Sequence, residues 1–384
     1  MKNAMHAVRI LFLLSALPLA SQAGSVLNLK HQPTAQEKCC VQSAAEPAVT
    51  TNYDAAAYSP PRKVIVGTIM HWFKQTGGLD ERLKKASELI DEVAQESAKK
   101  YPGKGLDLVV LPENAITMGR FPAAKNRAVP LEGKVLDTFG KLARQYKTYI
   151  VVAMMMQEPE KPDVTSNVAV LLDRQGRVVG IYRKVHPVIS PGEKGETLEG
   201  GVMPGSEYPV FQCDFGKIGM QICWDISYEE GFMRLAEKGA EIVAVCSASP
   251  QTIRPASYAL RGKYYVVTAN LRDNLSVFNP IGMMVAQVTS KDSNVESRVL
   301  VHEIDLAYAV VSWSADLDNG RLFTRKFGDK VGYIYSDRED RGVFWSNDPK
   351  IPIATMVHQL NQEMDDSYIE RCRRFQDAVR GKTP

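Results

Sequence analysis

Cysteine is scarce in this chain, with six residues among 384. That is too few for a disulfide scaffold. Cys39, Cys40, Cys213, Cys223, Cys246 and Cys372 form no CxxC pair and no Cys/His cluster, so no metal site is suggested. Neither sign of charge dominates. Lys plus Arg number 47 against 44 Asp plus Glu, a formal net charge of +3, and no Lys/Arg block is present to track a phosphate backbone. A nucleic-acid partner is therefore not implied. No GxxxxGK[ST] phosphate loop and no GxSxG elbow occurs. A P-loop enzyme and a Ser–His–Asp hydrolase of that type are thus disfavoured. Internal repeats are absent, and no cofactor is indicated.

The longest apolar run lies near the start. Lys2 and Arg9 supply positive charge, Ile10 to Ala20 is apolar except for Ser15, and Ser21-Gln22-Ala23 follows. This is the pattern of a cleaved export signal over residues 1–23. The run is too short to cross a bilayer core of about 30 Å, so the expectation is a secreted or periplasmic protein with no membrane span. An uncleaved anchor is the alternative. No cysteine directly follows the cleavage site, so a lipid anchor is not expected.

Residues 24–61 are rich in Ala, Gln, Ser, Thr and Pro and read as a flexible leader. Order is expected from Lys63–Met70, a strand, followed by a helix to Lys100 with Leu83, Ala86, Leu89, Ile90 and Val93 on one face. Strands and helices then alternate to about residue 306. The expectation is an α/β fold in layers, with helices outside packed sheets. Residues 307–384 fit that alternation less well. They read as an extension packing on the core or on a partner subunit, ending in a helix over Met356–Arg380.

Three apolar segments end on a functional side chain: Leu111-Pro112-Glu113, Tyr182-Arg183-Lys184 and Gln221-Ile222-Cys223. In α/β folds, sites gather at the carboxyl ends of strands. Cys223 can serve as a nucleophile once ionised, and a turn at Cys223-Trp224-Asp225 would aim backbone N–H groups at an oxyanion. Glu113 can take the thiol proton and later activate water. Lys184 can favour thiolate and stabilise the oxyanion. Each has a plainer reading when taken alone. A cysteine ending an apolar run is more often core, as Cys213 and Cys246 are read here. A strand-end lysine is more often solvated, and Glu113 could as well form a salt bridge. His186 would serve a Cys–His protease.

Together and in this order, the three segments resemble those of the nitrilase superfamily of carbon–nitrogen hydrolases, over roughly residues 63–306. Gly239-Ala240-Glu241-Ile242 and Asn279-Pro280-Ile281-Gly282 resemble further short patterns of that family. The resemblance implies an α-β-β-α sandwich, a hydrolase domain over 62–306, and a triad of base Glu113, oxyanion-stabilising Lys184 and nucleophile Cys223. It also implies a second glutamate shortly before a Pro-Gly. Glu199, ahead of Pro204-Gly205, is the choice, with Glu196 as competitor. Homodimers are the usual unit of the family. Nitrile-hydrolysing members usually carry Cys-Trp-Glu and amidase or carbamoyl-amidase members more often Cys-Trp-Asp, so Asp225 favours a small amide or N-carbamoyl substrate. Trp224, Asp225 and Tyr228 are candidate substrate contacts, and His71, Trp72, Phe73, Met118 and Phe121 are further pocket candidates. The helix after the nucleophile departs from the family by placing Glu229 where proline is usual. A catalytically silent binding protein on the same fold is the alternative of another class.

Overall fold

A computed structural model of the chain describes residues 52–118, 123–192, 195–290 and 298–381. The expected export signal, residues 24–51 of the leader, Cys39, Cys40 and Phe121 lie outside them.

Two six-stranded sheets form the body of the molecule. The first has the order Arg298–Asp305, Lys63–Met70, Leu108–Val110, Tyr149–Glu158, Lys161–Leu172, Val178–Arg183. The second runs Met284–Thr289, Asn274–Phe278, Tyr265–Asn270, Ile242–Ser247, Lys217–Ile222, Val210–Gln212. In each, the three central strands are parallel and the flanking ones antiparallel.

The alternation of side chains along the strands decides the layering. Val64, Val66 and Met70 of one strand, and Val151 and Ala153 of another, join Ile218, Met220 and Ile222 in a core between the sheets. Their neighbours Ile65, Ile69, Ile150 and Val152 face the other way, onto Leu83, Leu89 and Val93 of the helix Leu79–Lys100 and Phe139 of the helix Lys134–Tyr146. The helices Glu229–Glu237 and Ile253–Gly262 cover the second sheet through Phe232, Leu235 and Ala259. The result is the four-layer α-β-β-α sandwich. Thr68 Oγ1 links the sheets by donating to the Thr268 carbonyl at 2.7 Å. Gly219 lets the outer helix approach, since a Cβ there would stand 2.7 Å from Leu235 Cδ2.

Residues after Tyr308 build a three-stranded sheet, in the order Tyr308–Ser312, Arg341–Ser346, Val331–Ser336, with an apolar cluster around Phe323, Phe344, Ile353 and Val357. Two expectations need correction. The terminal helix is two helices, Ile353–Gln359 and Asp365–Val379. Asn361 takes a left-handed φ of 54° between them, while the Gln362 N–H closes on the Val357 carbonyl at 3.0 Å, which ends a helix. The leader is not without structure throughout, because Asn52–Ala57 is helical and Ala57 is fully buried in the C-terminal cluster. Its alanines favour helix, a signal hidden by the low-complexity composition around it. The C-terminal segment is tied to the sandwich by Lys263 paired with Asp366, and by Lys63 Nζ donating to Asn347 Oδ1 at 3.2 Å. Among the described residues no helix is long and apolar enough to cross a membrane.

Candidate active site

The strand Lys217–Ile222 ends in a short 3-10 turn, Cys223–Ser227. Cys223 starts it with a φ of 45°, a left-handed conformation that costs a non-glycine residue about 1–2 kcal/mol. Such a conformation persists only where its surroundings fix it, and Asp225 does so. The Asp225 carboxylate is fully buried. It accepts from the Ile222 N–H at 2.9 Å, the Tyr182 hydroxyl at 2.7 Å, the His186 N–H at 2.9 Å and, at 3.2 Å, His186 Nδ1. One carboxylate thereby locks the nucleophile turn to the segment carrying Lys184. This corrects the expectation that Asp225 meets a substrate, since its oxygens are committed inside the protein. His186 is committed too, with its ring bonded to Asp225 and stacked on Tyr228 at 3.7 Å between centroids. A Cys–His protease arrangement would need that ring on the thiol.

Glu113 follows the strand Leu108–Val110, with Pro112 before it and a tight turn after it. In that turn Asn114 has a φ of 55° and its carbonyl accepts from the N–H of Met118 at 2.8 Å. Thr117 Oγ1 anchors the turn by accepting from the Met155 N–H at 2.8 Å. Lys184 lies just beyond Val178–Arg183. Its backbone is gripped on both sides, with the N–H donating to the Asn167 carbonyl at 2.9 Å and the carbonyl accepting from the Gly205 N–H at 2.8 Å.

These placements bring Lys184 Nζ to 2.8 Å from Glu113 Oε1 and 2.5 Å from Glu199 Oε1. Lys184 as a whole is 1% exposed. Burial alone would push its pKa down, but the neighbouring Glu113, Cys223 and Glu199 outweigh it and hold the group well above the ordinary lysine range. Glu199 itself has a φ of 49°. Glu196, the competitor, is exposed on the strand Gly195–Leu198, paired with Pro191 of the strand Ile189–Gly192.

The Cys223 thiol is pushed up to about 12, first by burial and then by the Glu113 charge, while Lys184 and the Ala248 backbone N–H act against the rise. The nearby Glu113 side chain adds further to the rise. Near neutral pH the sulfur is therefore protonated, with Glu113 as the nearby base. Cys213 and Cys246 are buried core thiols, also raised by burial.

Two residues escaped the sequence reading. Asn167, fully buried, donates through Nδ2 to Glu113 Oε1 and Glu199 Oε2, both at 2.9 Å. Its signal was a polar residue directly ahead of the apolar run Val168–Leu172. Arg127 reaches the Glu199 carbonyl at 3.4 Å, and nothing in its local sequence set it apart. Of the proposed substrate contacts, Trp224 and Tyr228 are each more than 40% exposed. Phe73 is core, whereas Trp72 lines a cavity beside the Glu113 turn. Among the described residues no cluster of three or more His, Cys, Asp or Glu side chains is arranged to hold a metal ion.

Comparison with known proteins places this geometry in context. The family model "Carbon-nitrogen hydrolase" matches residues 70–311. A bifunctional nitrilase/nitrile hydratase of Lupinus angustifolius is 28% identical over 301 residues, covering 71% of this chain and 83% of that protein. The deaminated glutathione amidase of Homo sapiens is 32% identical over 204 residues, 49% of this chain and 60% of that protein. A carbon–nitrogen hydrolase from Helicobacter pylori G27 shares the fold with a TM-score of 0.53 at 20% identity, covering 64% of this chain and 90% of that one. Its family match spans most of the two-sheet body and all three strand-end segments, and by it the chain belongs to the carbon–nitrogen hydrolases of the nitrilase superfamily.

Proposed function

We propose that the chain is an exported thiol hydrolase that cleaves a non-peptide C–N bond of a small amide or N-carbamoyl compound. The observation that carries this reading is the bridge of Lys184 between Glu113 and Glu199, with the Cys223 thiol close enough to feel the charges of Glu113 and Lys184. Cys223 Sγ attacks the carbonyl carbon as its proton passes to Glu113. The oxygen gains the negative charge and is stabilised by the Lys184 ammonium and by the Trp224 N–H, one of the first donors of a helical turn. The C–N bond then breaks, and the proton on Glu113 goes to the departing nitrogen. Water gives a proton to Glu113 and attacks the thioester. The acid leaves and the thiol is restored. Glu199 holds Lys184 and balances its charge.

The Cys-Trp-Asp pattern and the amidase among the relatives support amide chemistry, and the nitrilase relative supports a nitrile as the second reading. Export is supported by the segment over residues 1–23, and a homodimer by the habit of the family. The test is an ammonia-release screen over carbamoyl amines, ω-amides and nitriles, with mass spectrometry of Cys223 in single turnover. An acyl adduct on Cys223 that is lost in Lys184→Ala is expected. Full activity in Lys184→Ala would overturn the assignment, and absence of any adduct across the panel would favour a silent binding protein.

A further inference from the structure

The helix Asp365–Val379 lies beyond the residues matched to the family, which end at 311. Its start is fixed to the body. Met364 and Asp365 are buried, Asp365 accepts from Ser312 Oγ and from Arg341 Nη1, and Asp366 pairs with Lys263. From Asp366 to Arg380 no residue is buried. The ion pairs of Arg371, Arg373 and Arg380 stay within the segment, on Glu363, Glu370 and Asp377. The helix is thus rooted at one end and bare along the rest. A helix of about 12–15 residues is marginal in water without packing.

Large apolar side chains lie on the bare stretch. Phe375 is 69% and Val379 73% exposed, and Tyr368 and Ile369 are each above 40%. Tyr368, Cys372, Phe375 and Val379 follow one another at steps of four, three and four, the a/d seam of a two-helix coiled coil. Such a seam is matched by another helix of the same spacing.

Charge selects the partner. Residues 365–370 carry three acids and no base, whereas residues 371–380 carry four arginines and one acid. An anionic membrane surface calls for an excess of base on the polar face, and here acids and bases balance. A second copy laid antiparallel sets each acidic half against a basic half. A parallel copy would stack arginine on arginine. Across an interface such charges fix orientation more than affinity.

We propose that this helix is a self-association surface, pairing antiparallel with the same helix of a second copy. Tyr368 of one copy meets Val379 of the other, and Cys372 meets Phe375. The contact belongs to the C-terminal segment, is separate from any interface of the two-sheet body, and does not depend on the chemistry at Cys223.

The test is cross-linking of the full chain at micromolar concentration with a short bis-maleimide, read peptide by peptide. In the antiparallel pair the two Cys372 residues lie about 4.5 Å apart along the axis, on helices about 8–10 Å apart. Each chain has one Cys372, so a Cys372 peptide linked to itself joins two copies. That link is expected in the parent. It should fall about tenfold or more in Phe375→Glu and in Val379→Glu, each of which puts an unpaired carboxylate into the seam. Both substitutions alter exposed side chains and should leave hydrolysis unchanged. Orientation is read in a Cys372→Ser background, by mixing chains carrying Tyr368→Cys with chains carrying Val379→Cys. Position 368 should link to 379 far more than to itself, because two copies of position 368 lie about 16 Å apart along the axis. Absence of a self-linked Cys372 peptide in the parent, or a link undiminished by both glutamates, would overturn the proposal. So would position 368 linking to itself as readily as to 379, which marks a parallel pair. Binding of the parent to phosphatidylglycerol vesicles, lost in Phe375→Glu and unaccompanied by any self-link, would assign the seam to a membrane surface instead.

Discussion

Asn167 and Lys184 donate to the same two carboxylates. Each bonds to Oε1 of Glu113, and they divide the two oxygens of Glu199. Neither occupies Glu113 Oε2. A neutral amide thus doubles the geometric work of the ammonium without adding charge, and fixes two buried acids in place. Separation of the roles follows: Lys184 supplies the positive field and Asn167 the spacing.

Asn167→Leu keeps the side-chain volume roughly constant and removes one donor from each carboxylate. A hydrogen bond to a charged group is worth about 1.5–3 kcal/mol, so kcat/KM should fall about 10- to 100-fold. The thermal midpoint should fall as well, because two largely buried carboxylates each lose a donor. Asn167→Asp places a third acid against the other two and should cost more activity than the leucine. Wild-type kinetics in Asn167→Leu would remove Asn167 from the positioning role.

Glu199 and Glu196 lie three residues apart and should behave as opposites. Glu199→Gln leaves Lys184 with one counter-charge and should lower kcat by about 10-fold or more. Glu196→Gln alters an exposed hairpin and should leave kcat and KM within about twofold of the parent. Parallel steady-state kinetics on the two variants decides. A severe loss in Glu196→Gln together with a mild one in Glu199→Gln would reverse the assignment.

The layered fold was legible because burial writes itself into strands as alternation and into helices as a 3.6-residue period. Lys63–Met70 has the ends its pattern predicts. Asn274–Phe278 carries a weaker pattern, being a short strand behind a turn with Asp273 at a φ of 76°. Glu113, Lys184 and Cys223 were legible as polar residues where apolar segments stop, and Glu199 only through the family resemblance. Asn167 was not, because one buried amide on a strand carries no charge to be explained. Arg127 was not, because its significance lies in what surrounds it in space. Asp225 was noticed and assigned to the wrong surface. Its partners Tyr182 and His186 lie about 40 residues away in sequence, and only folding makes them neighbours.

Asp225 is buried among four donors, so a longer acid there has no room. Asp225→Glu should destabilise the chain by about 1–3 kcal/mol, the usual cost of an extra methylene in a packed site, measured by urea unfolding. Amide turnover should fall as the Cys223 turn loses its anchor. Nitrile turnover should not rise, because the carboxylate does not face a substrate. A gain of nitrile hydrolysis with undiminished stability would show that position 225 selects the substrate directly.

Glu113→Gln should move thiol reactivity and catalysis in opposite directions. Burial is the largest influence raising the Cys223 thiol to about 12, and the Glu113 carboxylate raises it further, chiefly by its charge. Lys184 pulls the other way. Replacing the acid by an amide leaves the lysine and removes the opposing charge, so the thiolate becomes easier to form. The pH midpoint of Cys223 alkylation by iodoacetamide should fall by about one unit or more. Hydrolysis should fall steeply over the same range, because no base remains to take the thiol proton or activate water. Unfolding would also lower the midpoint, so the labelling is read peptide by peptide. Cys213 and Cys246 are fully packed and must stay unlabelled if the fold is intact. An unchanged or higher midpoint with those two protected would mean that Glu113 does not act on the sulfur.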